Sequence, residues 1–171
     1  MAKINSRKKG ANAERKVAAL MQKWSGREFS RTPASGGLRW KTSNVIGDIV
    51  GTEERHFFPF SIEVKVRKEI NFEHLLYIDK SDILKFWNQA LRDAKRGNKL
   101  PLLFMRYNGM PSDLWFVLIQ IKVYRKLKKY FDTSFPLMML SKKFVIMNSN
   151  TLLKGNYKKI RKKVIKIIDG K

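Results

Sequence analysis

The feature that most constrains the fold is the alternation of apolar and other residues between positions 58 and 66. Successive side chains of a β-strand point to opposite faces, so a period of two predicts a strand with one apolar face. That face consists of Phe58, Phe60, Ile62, Val64 and Val66. The other face places the carboxylate of Glu63 beside the amine of Lys65. The first face needs a core to cover, whereas the second brings together two groups of opposite charge.

A second strand is predicted just upstream, over residues 45–51. Its apolar residues are Val45, Ile46, Ile49 and Val50. They cover both faces, as is typical of a central strand. Asp48 interrupts the run, and a carboxylate in an apolar strand is costly unless a cation or hydrogen bonds compensate it. The two strands are close enough in sequence to pair, which would bring Asp48 near Glu63 and Lys65.

Two carboxylates and a lysine in this arrangement indicate a site for a divalent metal and a phosphodiester. Mg²⁺ typically takes one or two carboxylates plus substrate phosphates, and such a metal activates water and stabilises charge on the reacting oxygens. Lys65 would orient the water or stabilise the transition state. The alternative is a simple ion pair between Glu63 and Lys65, because a Glu-x-Lys tripeptide alone is common.

Charge and composition narrow the class of protein. The 171 residues include 37 Lys and Arg against 14 Asp and Glu, a net charge of +23. This balance favours nucleic acid as the partner, with an anionic membrane surface second. A hydrophobic content of 43% is that of a globular chain, and the absence of cysteine excludes a disulfide framework and a thiolate zinc site. With no apolar run of roughly 20 residues and no secretory segment, we expect an intracellular protein without a membrane span.

Gly47-Asp48 followed by Glu63-Val64-Lys65 resembles the PD-(D/E)XK nuclease pattern, with Gly47 in place of the proline. Within that superfamily the chain is most similar to the archaeal and phage Holliday junction resolvases, over roughly residues 7–120. The further segments that carry this resemblance are Gly10-x-x-x-Glu14-Arg15, the loop Arg31-Thr32-Pro33-Ala34-Ser35-Gly36-Gly37, and Trp87-x-Gln89 with Asp93-Ala94 and Pro101.

The resemblance implies a restriction-endonuclease-like α/β fold, a mixed central sheet flanked by helices. It also implies a metal-dependent, structure-specific DNA endonuclease that resolves Holliday junctions, uses one or two Mg²⁺ or Mn²⁺ ions, and acts on branched DNA as a homodimer. Two alternatives remain open. One is another nuclease with this core, of the restriction or nicking type, and the other is a non-catalytic nucleic-acid-binding protein with this fold.

Site residues follow from the same resemblance. Asp48 and Glu63 would be metal ligands, Lys65 would be the catalytic lysine, and Glu14 would be a further acid that reaches the metal or its water. The phosphate contacts would be Ser35, also counted among the catalytic residues, and Arg31, with Gln89 as a secondary site residue.

Glu14 and the glycine loop also have simpler interpretations. Glu14 lies at the edge of the apolar stripe of a helix predicted over residues 10–24, and it could be a solvent-facing residue paired with a nearby cation. The loop around Ser35 could be a phosphate cradle or only a flexible turn.

Further DNA contacts are predicted at Arg39, Trp40 and Lys41, although Trp40 could instead fold onto its own domain. Residues 156–168 are a candidate basic amphipathic helix. Its predicted DNA contacts are Lys158, Lys159, Arg161 and Lys162. Such a helix can lie on a phosphate backbone, lie on a membrane surface, or cover the sheet with a solvated outer face.

The predicted organisation is a nuclease core over residues 1–122, which starts with a mobile basic arm at 1–9, and a basic extension over 123–171 in the same domain. Strands are predicted near 27–33, 45–51, 57–67, 101–107 and 114–122, the last two joined by a turn at Asn108-Gly109, with a helix from a cap at Ser81 to Arg96. The order is α-β-β-β-α-β-β. The apolar residues 135–147 are either core or a dimer surface.

Overall fold

In the computed structural model, seven strands form one mixed sheet with helices on both faces, so the predicted α/β fold is confirmed. The structure describes residues 6–32, 46–53, 56–76, 81–134, 137–138 and 143–170. In these ranges no helix is both long enough and apolar enough to cross a membrane.

The elements follow the predicted order up to β5 and then continue. The helices are α1 (Ser6–Ser25), α2 (Asp82–Arg96), α3 (Ile121–Leu127), α4 (Ser149–Leu153) and α5 (Tyr157–Ile168). The strands are β1 (Phe29–Arg31), β2 (Ile49–Gly51), β3 (Phe60–Arg67), β4 (Leu100–Tyr107), β5 (Phe116–Gln120), β6 (Leu137–Met138) and β7 (Phe144–Asn148). Single 3₁₀ turns lie at Glu73–Leu75 and Lys128–Tyr130.

The sheet has the order β1-β2-β3-β4-β5-β7-β6. Only β3 and β4 pair in parallel among these strands, with Phe60 opposite Leu100 and Arg67 opposite Tyr107. A parallel pair needs a long crossover, and α2 supplies it. The other neighbouring strands are antiparallel, and the predicted turn between β4 and β5 is present, with Gly109 at a φ of 91°.

The alternation on β3 separates the two faces of the sheet. Phe60, Ile62 and Val64 are buried in the larger core, together with residues of α1, α3 and α5. The smaller core lies on the other face, where Trp87 of α2 packs over β4, β5 and β7. Lys65 also lies on this second side, since its Nζ is 5.6 Å from the centre of the Phe86 ring of α2.

Helix α1 starts earlier than predicted. It begins at Ser6, so residues 6–9 are helical and the expectation of a mobile arm is wrong for them. Residues 1–5 lie outside the described ranges. Val17 and Met21 are fully buried, and Gly26, at a φ of 67°, follows the helix and donates its N–H to the Gln22 carbonyl. A glycine in this left-handed conformation commonly ends a helix, and a residue with a side chain adopts the conformation less readily.

Helix α2 has the predicted ends but not the predicted cap. Ser81 occupies the N-cap position, yet its side chain makes no capping bond, and its buried hydroxyl has no partner among the described residues. Gly97 is the C-cap, as expected. The apolar stripe then fixes the helix on the sheet, with Trp87 and Ala90 each 1% exposed.

The C-terminal segment contributes two strands, β6 and β7, that were not predicted. β7 pairs with β5 on one side and β6 on the other, and its first four residues are at most 1% exposed. The core interpretation of this apolar run is therefore right for residues 144–147. β5 ends at Gln120, two residues before its predicted end, because α3 begins at Ile121.

The predicted helix over 156–168 is present as α5. Asn156 caps it by accepting a hydrogen bond from the Lys159 N–H at 3.1 Å. Ile160 and Val164 are fully buried in the larger core, so α5 covers the sheet, and its cations lie on the remaining surface.

Candidate active site

Asp48 and Glu63 face each other across the β2–β3 pair. Ile49 of β2 is opposite Ile62 of β3 in the antiparallel register. Asp48, which precedes Ile49, therefore comes opposite Glu63, which follows Ile62. Two hydrogen bonds fix this approach: the Asp48 N–H donates to the Ile62 carbonyl at 2.7 Å, and the Val64 N–H donates to Asp48 Oδ2 at 2.8 Å. The Asp48 side chain thus occupies the edge of β3 just beyond its pairing with β2.

Gly47 makes this turn possible. Its φ of 91° lies in the left-handed region, and a Cβ at this position would be 2.6 Å from the Ile62 carbonyl oxygen. Proline is confined to a φ near −65°, so it could not adopt this conformation, which gives a physical reason for glycine here. Thr32 supports the turn from β1: its Oγ1 donates to the Gly47 carbonyl at 2.8 Å and its N–H donates to the Asp48 carbonyl at 2.9 Å.

Lys65 forms an ion pair with Glu63. The side chains are 19% and 4% exposed respectively, so the pair is largely sheltered from water but the amine remains reachable. The ion pair of the simpler interpretation is therefore present. It is equally compatible with a catalytic lysine, because the same amine stands beside a carboxylate that would hold a metal.

Burial shifts the pKa values of both carboxyl groups. It raises the pKa of Asp48 to about 7, with further increases from the charges of Glu63 and Glu14, against the opposing effects of the Val64 N–H and Lys65. Burial also raises the pKa of Glu63, an increase that Lys65 opposes and that Asp93 and Glu14 reinforce. Two neighbouring carboxyl groups that are shielded from water and repel each other are stabilised by a cation between them.

Glu14 is buried, with 9% exposure, so the interpretation as a solvent-facing helical residue is wrong. It forms an ion pair with Arg31 of β1. The guanidinium that was predicted to contact phosphate is therefore bound to Glu14. In the described part of the chain, no three carboxylate or imidazole groups form a cluster that could hold a metal ion. The charge of Glu14 raises the pKa of both Asp48 and Glu63.

The donors present fit a hard divalent cation. Asp48 and Glu63 supply the one or two carboxylates that Mg²⁺ typically takes from a protein, and the remaining positions would be filled by water and substrate phosphates. Burial raises the pKa of each carboxyl group, and a bound cation would oppose that increase.

Helix α2 borders the site from the second face of the sheet. Phe86, Gln89 and Asp93 recur at three- and four-residue spacing and so share one side of the helix. Phe86 lies below Lys65, and Asp93 raises the pKa of Glu63. Gln89 lies between them and is half-buried, which is compatible with the predicted secondary role. A cavity of about 160 Å³ opens here, lined by Lys65, Arg67 and Phe86 among others.

Sequence reasoning missed Asp93 and Thr32 as residues that act on this site. Asp93 was noted only as part of a motif, and its effect on Glu63 depends on how α2 crosses the sheet. Thr32 was noted only as a loop residue, and its two bonds to the Gly47-Asp48 turn require the β1–β2 pair.

The other residues predicted to contact DNA fall into two groups, one outside the described residues and one on α5. Ser35, Arg39, Trp40 and Lys41 lie outside the described residues. On α5, Lys158, Lys159 and Lys162 are exposed, whereas Arg161 donates from Nε to the Phe57 carbonyl at 3.0 Å. Arg161 therefore ties α5 to the segment before β3, and the three lysines remain as candidate phosphate contacts.

Asp48, Glu63 and Lys65 lie together where β2 pairs with β3 in a mixed sheet. This arrangement defines a nuclease fold of the PD-(D/E)XK class. The family described as "Phage putative PDDEXK endonuclease" matches residues 5–166, and the chain belongs to this family of endonucleases. The chain is also 29% identical over 105 residues to Protein D14 of Escherichia phage T5, a match that covers 60% of this chain and 65% of that protein. No solved structure gives a significant match.

Proposed function

We propose that this protein is a metal-dependent DNA endonuclease that hydrolyses phosphodiester bonds at Asp48, Glu63 and Lys65. The observation that supports the proposal most directly is the pair formed by half-buried Asp48 and buried Glu63, both with a raised pKa, beside the amine of Lys65. Such perturbed groups cluster at functional sites. The family and the net charge of +23 favour a nucleic acid as the substrate.

Each residue has a defined part in this proposal. Asp48 and Glu63 would hold Mg²⁺, which supplies an activated water and stabilises charge on the attacking and leaving oxygens. The Val64 N–H keeps Asp48 turned toward the edge of β3. Lys65 would release Glu63 to the metal and donate to the water or to a phosphate oxygen as negative charge develops there. Glu14 would keep Arg31 beside the site.

We further propose that the preferred substrate is branched DNA, with a four-way junction as the first choice, and that the protein acts as a homodimer. The support is the resemblance of the ordered motifs to junction resolvases. A two-fold dimer would also offer two equivalent sites to two strands of one junction. A restriction-type or nicking nuclease and a non-catalytic binding protein remain the competing functions.

One cleavage experiment separates these functions. The purified full-length protein is incubated with junction, flap, single-stranded and duplex DNA in Mg²⁺, in Mn²⁺ and in EDTA. We expect cleavage only with metal, and paired symmetric cuts in the junction before any cut in linear duplex. Equal cleavage of linear duplex would favour a restriction-type or nicking enzyme, and binding without cleavage under all conditions would favour the non-catalytic alternative.

Substitution of the metal ligands tests the location of the site. Asp48→Asn and Glu63→Gln should each abolish cleavage, because each removes a charged ligand, while DNA binding is retained on the unchanged basic surface. The measurement is single-turnover cleavage together with a binding titration in EDTA. Undiminished cleavage by Asp48→Asn would show that the reaction takes place elsewhere.

A further inference from the structure

Arg67 continues the row of site residues along β3. Side chains two positions apart in a strand share a face, so Glu63, Lys65 and Arg67 form one row with a step of about 7 Å. The last two contact the same ring of α2, since the Lys65 Nζ and the Arg67 Cζ lie 5.6 and 4.3 Å from the centre of the Phe86 ring. Arg67 ends β3, and it therefore lies one step beyond the proposed catalytic lysine.

The guanidinium of Arg67 is held in place although the residue is exposed. It lies over the Phe86 ring, and its Nη1 donates to the Val66 carbonyl at 3.0 Å. Phe86 is fixed in turn, because it packs against the smaller core. An arginine that is already positioned loses less side-chain entropy when it binds a ligand.

Among the described residues, no carboxylate forms an ion pair with Arg67. Arg31, the arginine predicted to contact phosphate, differs in this respect because it is paired with Glu14. A guanidinium has five N–H donors, and in the described part of the chain the Val66 carbonyl accepts from one nitrogen of Arg67. The remaining donors suit the planar, bidentate binding of a phosphate.

The surroundings of Arg67 favour a DNA strand over a free anion. The cavity of about 160 Å³ beside the row is lined by both cations of β3, but also by Glu69 and Asp82. These carboxylates disfavour an enclosed anion, since like charges repel, although Asp82 is paired with Lys85 at 3.1 Å. A strand bound at the metal site carries a phosphate at every nucleotide, and so it brings a neighbouring phosphate to the row on β3 at high effective concentration.

On the basis of the function proposed above, we propose that Arg67 binds a phosphate of the cleaved strand next to the reacting one, and that Phe86 is a positioning residue for its guanidinium. The contact fixes the register of the strand on the site. Arg67 reads no base in this role, because a phosphate contact carries no sequence information.

A double-substitution cycle between Arg67 and single phosphates tests the contact. The full-length wild-type protein and Arg67→Gln are titrated in EDTA with four-way junctions in which one phosphate at a time, on either side of the cut, is replaced by an uncharged methylphosphonate. On the unmodified junction, Arg67→Gln should weaken binding by about tenfold, since a charged hydrogen bond is lost. On the junction that lacks the contacted charge, the same substitution should change the affinity by less than about twofold.

Arg125→Gln is the matched control. Arg125 is an exposed arginine of α3, a helix whose buried residues belong to the larger core on the opposite face of the sheet. Its substitution removes the same charge, and we expect a small effect that is equal on all the junctions.

The outcomes separate this contact from the proposed reaction. Cleavage by the wild-type protein in Mg²⁺ locates the reacting phosphate, and its absence would contradict the proposed function. The cycle in EDTA decides on Arg67 by itself, and coupling confined to one phosphate supports the contact. Coupling to no phosphate, to all phosphates equally, or to one remote from the cut would overturn it.

Phe86→Leu tests the positioning role. Leucine keeps an apolar side chain on the smaller core but removes the ring under the guanidinium. The substitution should weaken binding to the unmodified junction by about threefold in the wild-type protein, and it should have a smaller effect when Arg67→Gln has already removed the guanidinium. Equal effects in the two proteins would show that Phe86 contributes only to the packing of α2.

Discussion

At the scale of single residues, the proposed site places half-buried Asp48 and buried Glu63 beside the amine of Lys65. The charge of Glu63 raises the pKa of Asp48, and Lys65 opposes the increase in the pKa of both groups. Lys65 can therefore matter in two ways, as part of the fold through its ion pair with Glu63 or as part of the reaction. These two roles predict different measurements.

Lys65→Ala separates them. If the amine stabilises charge at the phosphate or orients the water, the single-turnover rate should fall by about 10²-fold or more, because one electrostatic stabiliser is lost. Metal binding, measured by calorimetry, should survive. Lys68→Ala is the control, since Lys68 is an exposed cation just past the same strand. Normal cleavage with a lower melting temperature would show that Lys65 is only an ion-pair partner of Glu63.

Gly47 offers a second test at this scale. Gly47→Ala should lower the free energy of unfolding by roughly 3 kcal/mol or more. The new Cβ would collide with the Ile62 carbonyl, and alanine would have to adopt an unfavourable positive φ. Gly26→Ala is the matched control: its φ is also positive, but nothing lies within 4 Å of the added Cβ. It should cost only about 1–2 kcal/mol. Urea denaturation of both variants measures the difference, and equal costs would mean that the turn relaxes away from Ile62.

The sequence led to Asp48, Glu63 and Lys65 because strand alternation states which side chains share a face. The pattern could not show how Glu14 is used, since its pairing with Arg31 joins two elements that are 17 residues apart. The effect of Asp93 on Glu63 depends likewise on the crossing of α2 over β3. Contacts between elements are set by packing, and a single sequence does not display them.

At the scale of elements, α5 covers the larger core. Its buried positions Tyr157, Ile160 and Val164 belong to the same cluster as β3 and α1. Trp24 of α1 contacts this region twice, through an edge-on contact with Tyr157 at 4.9 Å and a hydrogen bond to the Gly155 carbonyl. Removal of this helix would therefore unfold the sheet before it could inform on DNA binding.

Ile160→Ala measures how much α5 stabilises the fold. The side chain is fully buried, so the substitution should cost about 2–5 kcal/mol, from lost transfer free energy and the cavity left behind. Ile165→Ala on the same helix is the control, because Ile165 is only half-buried and should cost less. The measurement is thermal or urea unfolding, and a cost below about 1 kcal/mol for Ile160→Ala would mean that α5 does not form part of the core.

The elements with clear periodicity were predictable, and the short ones were not. α1, β3, α2 and α5 have sustained apolar stripes of period two or 3.6, and their existence is confirmed. β7 is a short apolar run buried on both faces, which periodicity cannot distinguish from a helix or an interface. Its place between β5 and β6 follows from long-range pairing, which has no local pattern.

At the scale of the whole molecule, the net charge of +23 favours contacts with the phosphates of a nucleic acid. Of the candidate phosphate contacts on α5, Lys158, Lys159 and Lys162 are exposed, and Arg161 is bonded to the Phe57 carbonyl. The apolar side of α5 can therefore pack on the core while its exposed lysines contact DNA. Charge substitution, unlike truncation, changes the second role alone.

The triple variant Lys158→Gln, Lys159→Gln and Lys162→Gln tests that role. Each phosphate that is no longer neutralised should reduce the slope of log affinity against log salt by about 0.9 on duplex DNA. We expect weaker binding to every DNA substrate by similar factors, because phosphate contacts carry no sequence information. Cleavage at low salt should persist, since Asp48, Glu63 and Lys65 are unchanged.

The matched control removes three exposed cations from the other side of the sheet, with Lys85→Gln, Arg92→Gln and Lys95→Gln on α2. It lowers the net charge equally, so a smaller effect on the slope would assign the phosphate contacts to α5 specifically. If both triple variants flatten the slope to the same extent, the charge acts as a general field. If the α5 variant keeps the full slope while it remains folded, α5 is a structural cover and the DNA lies on another face.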